Sequence, residues 1–413
     1  MNKVFFLKKK EGWVVNKVEL LAPAGSLEKA KIALLYGADA VYVGGKQFSL
    51  RARASNFELE DLKELANFAH KLNKKIYVTM NIIPHDQDLK GLDEYLSYLE
   101  EIKIDAIITS SLYIMERAKI VAPHVERHLS TQMSTTSSFG IEYYKKRGVS
   151  RVVLAREVSM CEIEKIMNKT TTEVEVFIHG GMCSSYSGHC VLSNHMTNRD
   201  ANRGGCAHSC RWNYTLYKNG EEQPQFYNIG SKDMMALRYI PKLIDLGVAS
   251  LKVEGRMKSM YYLAVVIRSY RMLIDAYYEK GYVTEEDIQK AEVEIGKAEN
   301  RLTSNGFFDG LPKVAGQLYD DRSEHPTKEF IGYVLDYDKE TNMAVIEQRN
   351  YFKPGDVVEF FGPNLENTTM AVEEIIDYET KEKLEVACHP LQLLWIKVPF
   401  ILKKDDMMRK VNM

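Results

Sequence analysis

The sequence predicts an α/β protein, a (β/α)8 barrel followed by a small C-terminal antiparallel β-barrel domain. Three observations lead there. From residue 18 to 281, short and almost continuously apolar runs alternate with amphipathic stretches, the pattern of parallel strands covered by helices. The alternation repeats eight times with no G-x-G-x-x-G after the first strand, which favours a closed barrel over a doubly wound open sheet. Beyond residue 280 the period changes to short strands broken by turn signals.

Residues 18–25 (VELLAPAG) read as a buried strand, and 26–37 as a helix opened by a capping serine and closed by a glycine. Strands at 39–45, 75–83, 105–110, 126–134 and 150–157 alternate with helices at 58–73, 88–102, 112–122, 139–148 and 161–169. The seventh strand is 173–181 (EVEVFIHGG) and the eighth 249–255 (ASLKVEG), followed by a long helix over 259–281. Between the seventh strand and a helix expected over 232–247 lies an insertion, 182–230, far longer than an ordinary βα loop. Its second half reads as a hairpin turning at Asn219-Gly220. The expected organisation is a barrel domain over 1–310 and a connector with the β-domain over 311–413, the latter either a structural cap or a partner-binding module.

Composition narrows the function classes. A net charge of -2 gives no bulk drive toward nucleic acid or membranes, so such binding must come from local patches. The N-terminal apolar run is too short for a signal peptide and no apolar run is long enough to span a bilayer, so the expected location is the cytoplasm, without membrane contact. Thiols are kept reduced there, which disfavours a disulfide framework. Cys161 and Cys388 stand alone and read as small core residues.

The other four cysteines, Cys183, Cys190, Cys206 and Cys210, crowd the insertion with the spacing C-x6-C-x15-C-x3-C. The first gap is too wide for an ordinary zinc knuckle, while iron–sulfur clusters tolerate varied spacing, so an iron–sulfur group ranks ahead of zinc. Gly180, Gly181, Gly188, Gly204 and Gly205 allow backbone N–H groups close to sulfur, and Arg199, Arg203 and Arg211 offer compensating charge.

The stretches VEVFIHGGMCSSYSGHCVLSN and RDANRGGCAHSCRWNY, with LLAPAGSLEKAKIALLYGADAVYVGG and LKVEGRMKS, closely resemble the signature of the U32, or collagenase-like, peptidase family over residues 18 to 310. The terminal β-domain resembles that of the family's longer members. Within the family the chain is most similar to bacterial proteins of tRNA 5-hydroxyuridine formation. That resemblance implies an enzyme of oxygen-independent hydroxylation acting on the wobble uridine of tRNA, with a 4Fe-4S cluster and a prephenate-derived hydroxyl donor. It also implies iron ligation by Cys183, Cys190 and Cys206, with Cys210 following as the fourth ligand from its position. Besides tRNA and a small-molecule donor, a paralogous U32 protein is an expected partner. Two other functions stay open: a collagenase-like peptidase, and a zinc-stabilised RNA-binding scaffold.

No G-x-S-x-G or H-E-x-x-H supports proteolysis, although Ser187 with His179 or His189 could be imagined as a nucleophile and base, or Cys183 as a thiol nucleophile. A dicarboxylate donor calls for arginine, and Arg51, Arg53, Arg156 and Arg256 lie at or beyond strand ends. The alternative for each is a salt bridge to a neighbour such as Glu157 or Glu254. Asn81, Gln132, His179 and Glu254 end strands where barrels place working groups. Glu254 and His179 are the candidate acid–base residues, and Asn81, Gln132, Tyr186 and the four arginines the candidate substrate contacts. Tyr186, Trp212 and Tyr214 are candidates to stack on an everted base, and residues 145–147 (KKR) and the basic tail at 402–410 to meet phosphates.

Overall fold

The computed structural model describes residues 4–6, 17–50, 56–298, 301–319 and 330–411. Eight parallel strands pair in chain order: β1 (Glu19–Pro23), β2 (Ala40–Gly44), β3 (Lys75–Met80), β4 (Ala106–Thr109), β5 (Glu126–Leu129), β6 (Arg151–Val153), β7 (Glu173–Gly180) and β8 (Ser250–Val253). β8 pairs with both β7 and β1, which closes the barrel. Helices α1 (Leu27–Leu35), α2 (Leu59–Lys71), α3 (Leu92–Glu101), α4 (Leu112–Val121), α5 (Ser138–Lys145), α6 (Met160–Met167), α7 (Ile240–Asp245) and α8 (Met260–Lys280) surround it. Ser26, Ser111, Ser137, Ser159 and Ser259 each accept a first-turn backbone N–H, so five of these helices start where a short polar side chain satisfies an orphan donor. The apolar run at the N-terminus is a strand, Val4–Phe6, paired antiparallel with Tyr282–Thr284.

Outward strand residues such as Leu20, Val41, Val78, Ile107 and Leu251 pack under the helices in one large core. The lumen instead mixes a small apolar cluster of Leu21, Ala40, Tyr42, Tyr77, Ala106 and Ile108 with buried charge. Arg151 reaches Glu19 at 2.6 Å and Glu173 at 2.8 Å, Lys252 meets Glu175 at 2.7 Å, and the Tyr77 hydroxyl donates to Glu19 at 2.5 Å. Burial pushes the Glu175 carboxyl up, but Lys252 and Arg151 outweigh it and hold it below the ordinary carboxylate range. Each ion is therefore matched, as burial at this depth requires.

Two elements differ from the sequence expectation. Residues 233–235 form a strand, antiparallel to the end of β7, and only 240–245 of that segment is α-helical. The Ala236 N–H donates to Ile178 O, so the strand satisfies backbone groups that β8 leaves unused. The C-terminal domain is one antiparallel sheet in the order 368–371, 357–361, 407–410, 330–338, 343–348, 393–397, 375–377, 383–384, and among the described residues its outer strands do not pair with each other. It is a half-barrel curled over Ile331, Val334, Ile346, Phe360, Leu394, Ile396 and Met408, with register shifts in Phe330–Asp338 helping it bend.

The tail expected to face RNA is the third strand of that sheet. Arg409 is 1% exposed, stacks on Phe361 at 4.5 Å, and ion-pairs with Glu359 of the sheet and, at 2.7 Å, with Glu294 of α9 (Glu285–Gly296). It joins the two domains, because a buried guanidinium needs carboxylates on both sides.

Candidate functional site

The insertion lies over the C-terminal ends of the strands, the face on which barrel enzymes work. Cys183, Cys190, Cys206 and Cys210, all free thiols, line one cavity of about 60 Å³ together with Gly188, Ser193, His208 and Ser209. Burial raises the Cys183 thiol, and the Ser185 N–H, 3.4 Å from its sulfur, and the charge of Arg156 counter this only in part. Cys206 is exposed, so the ring has an open side.

The two longer segments between cysteines are each tied to the barrel. Between Cys183 and Cys190, Ser187 is 1% exposed with φ 48°. Its N–H and hydroxyl donate to the two carboxylate oxygens of Glu157 at 2.6 and 2.8 Å. Between Cys190 and Cys206, Arg203 makes a two-pronged contact to Asp88 at 2.8 and 2.6 Å, and Asn202 donates to Cys190 O at 3.2 Å. The turn before Cys206 admits only glycine at 205, because a Cβ there would come within 2.7 Å of Asp200 O. Beyond Cys210, Arg211 donates to Met182 O at 3.4 Å and lies 3.6 Å from Asp233. The chain then forms the hairpin Tyr214–Lys218 and Glu221–Tyr227, turning at Asn219 and Gly220 with positive φ at both, as Asn-Gly turns require.

A thiolate-held cluster asks for several sulfurs around one cavity, nearby N–H or O–H donors, and positive charge. Four thiols, the Ser185 N–H, Arg156, and a buried Ser209 hydroxyl without a hydrogen-bond partner meet that description. A single zinc is a poorer fit, since it draws four sulfurs onto one point at about 2.3 Å. Among the described residues no three His, Cys, Asp or Glu side chains gather closely enough to hold one metal ion.

The structure brings several of the other expected residues to the barrel mouth. Glu254 is half-buried, and the Tyr42 hydroxyl lies 2.8 Å from its Oε2 and 3.0 Å from Val253 O. Arg256, 3% exposed, donates to Ser49 at 2.9 Å and Asn56 at 3.0 Å, and a Cβ at Gly44 would overlap its guanidinium. Arg156 lies over Phe177 at 3.8 Å. Asn81 accepts the Leu50 N–H at 3.3 Å. Gln132, 4% exposed, lies beside Gly188 with its Oε1 unpartnered. Tyr186 and Trp212 are exposed and Tyr214 is half-buried, its hydroxyl donating to Ser209 O at 2.7 Å. Arg51 and Arg53 lie outside the described residues.

His179 is not at the mouth. Strand alternation would place it in the lumen with Glu175 and Phe177, but the β7–β8 register shifts between Phe177 and His179. The bulge turns its ring outward under α8, between Tyr262 and Tyr270, with Nδ1 3.3 Å from the Tyr270 hydroxyl. It is a core histidine, not a proton donor at the cysteine cavity. Conversely, Glu157, Asp88 and Tyr42 hold the site, although Glu157 reads from sequence only as an arginine's neighbour and nothing local singles out Asp88 or Tyr42. The signal for the lumen charges was present: Glu19, Arg151, Glu175 and Lys252 each interrupt an otherwise apolar strand.

The sequence profile of peptidase family U32 matches residues 25–317, and that of the U32 C-terminal domain matches 326–409. The chain belongs to peptidase family U32. Among U32 relatives, this protein is 46% identical over 409 residues to tRNA hydroxylation protein P1 of Bacillus subtilis, covering 96% of each chain. It is 38% identical over 268 residues to the 23S rRNA 5-hydroxycytidine C2501 synthase of Escherichia coli, covering 64% of this U32 chain and 40% of that one. It is also similar to a collagenase of Porphyromonas gingivalis, at 32% identity over 391 residues, covering 89% and 92%. Among the described residues of this U32 protein no helix is long and apolar enough to cross a membrane.

Proposed function

We propose that this U32 protein is an RNA hydroxylase that converts the wobble uridine of tRNA to 5-hydroxyuridine without oxygen. It would use an iron–sulfur cluster held by Cys183, Cys190, Cys206 and Cys210 and a prephenate-derived hydroxyl donor. The observation that carries the proposal is the ring of four thiols around one cavity at the working end of the barrel. Near-full-length similarity to a tRNA hydroxylation protein supports the substrate class. When bound, the cluster would supply one-electron chemistry.

The reaction is an exchange in which base–H and donor–OH become base–OH and donor–H, so the donor carries both the oxygen and the oxidising equivalents. The chain's own residues must bind and orient the two partners. Arg156 and Arg256 offer guanidinium groups for the donor's carboxylates. Glu254, steadied by the Tyr42 hydroxyl, is placed to hold or move a proton. Tyr186 and Trp212 present exposed rings on which an everted pyrimidine can stack. The peptidase alternative has a collagenase among the relatives, but Ser187 does not favour it, because its side chain is buried away from any substrate carbonyl.

The test is nucleoside mass spectrometry of tRNA from a strain lacking this gene and its paralogues, complemented with wild-type or Cys183→Ala protein. Restoration of 5-hydroxyuridine derivatives by the wild type alone is expected. Unchanged tRNA in the deletion strain would overturn the proposal.

A further inference from the structure

Resting on the iron–sulfur reading above, we infer that Glu157 and Asp88 are positioning residues that hold the cysteine ring in shape before the cluster is bound. The two carboxylates come from different parts of the rim, Glu157 just beyond β6 and Asp88 from the loop after β3. Each grips a different inter-cysteine segment, Glu157 at Ser187 and Asp88 at Arg203.

Glu157 spends both oxygens on one residue, Ser187, whose left-handed backbone is a conformation that a non-glycine residue keeps only when its surroundings impose it. Ser187 lies between Cys183 and Cys190, so this contact sets how the first two thiols face each other. Asp88 takes the Arg203 guanidinium in a two-pronged geometry, and Arg203 follows Asn202, which itself donates to Cys190 O. The Ile83 N–H donates to Asn202 O at 3.0 Å, tying the same turn to the β3 loop a second time. Without these grips the segments between Cys183 and Cys206 would be polar loops free to explore many shapes, and ordering them would draw on the binding energy of the cluster. Partners of this outer kind are worth about 10- to 100-fold in metal affinity.

The experiment measures iron and acid-labile sulfide after anaerobic reconstitution, then the rate of iron loss to a chelator, followed by absorbance, for full-length variants. Glu157→Ala and Asp88→Ala are expected to lose iron about 10- to 100-fold faster than wild type. Glu157→Gln, which keeps one acceptor oxygen, should fall between. Circular dichroism of the metal-free proteins should show the barrel intact. Should Glu157→Ala fail to fold, Ser187→Ala, which removes only the hydroxyl contact, is expected to show a smaller acceleration of the same sign. Iron release at the wild-type rate in the folded variants would overturn the positioning role and leave the cluster reading standing. A wild-type chain that holds no iron would overturn the cluster reading and this inference with it.

Discussion

Glu175 offers a direct test of how the barrel lumen is stabilised. Its side chain is fully buried, 2.7 Å from Lys252 Nζ and 3.5 Å from Arg151 Nη1. In Glu175→Leu, Arg151 keeps Glu19 and Glu173, but Lys252 keeps only the faces of Tyr42 at 4.4 Å and Phe177 at 5.5 Å. Breaking a buried pair by removing one partner costs about 3 to 5 kcal/mol. The two rings return part of that through cation–π attraction worth about 1 to 2 kcal/mol, so a net loss of about 1 to 4 kcal/mol is expected. At 1.4 kcal/mol per factor of ten, that raises the unfolded fraction by roughly 5- to 700-fold. Replacing both partners, Glu175→Leu with Lys252→Met, removes the stranded charge and should recover most of the stability. Urea unfolding of the two variants and wild type, followed by circular dichroism, measures this. A single variant within about 0.5 kcal/mol of wild type, or a double variant no better than the single, would refute the reasoning.

Gly180→Ala should destabilise by about 2 to 4 kcal/mol, since Gly180 has φ 98° and a Cβ would overlap Glu254 O; an unchanged thermal midpoint would contradict it. Burial raises the Asp406 carboxyl to about 6, so between about pH 4 and 6 the folded protein holds a proton that the unfolded chain has released. Stability from this group is therefore present at low pH, falls as pH rises through that window, and is lost above it. Asp406→Asn should then melt higher than wild type at pH 7.5 and lose the advantage near pH 4, as read by thermal denaturation across pH. Cys210→Ala should lower reconstituted iron and sulfide as far as Cys183→Ala does; full wild-type content would remove Cys210 from the ligand set.

Much of this protein was legible in its sequence because the signals are local. A buried parallel strand must be apolar on both faces, so β1 to β8 announce themselves as short apolar runs, and serine caps mark the helix starts between them. Asn219-Gly220 specifies its turn by steric preference alone. The crowding of four cysteines into one insertion singles out the loop whose thiols line a common cavity.

What the tertiary structure alone decided depends on register and on long-range pairing. One extra residue in β7 moves His179 from the lumen to the helix layer, and no local pattern at 173–181 signals it. Met407–Lys410 reads as a basic tail until Arg409 meets Glu359 and Glu294, 50 and 115 positions away, whereupon it becomes buried and joins the domains. Glu157 and Asp88 acquire a role only when the insertion folds back over the rim and places Ser187 and Arg203 against them. The sequence by itself determined the eight barrel strands, most of the helices and the insertion that carries the four thiols, because propensity and residue type act within a few positions. Closure of the barrel decided which charges are buried, which face a side chain meets, and which carboxylates hold the cysteine ring, because those contacts exist only between segments far apart in the chain.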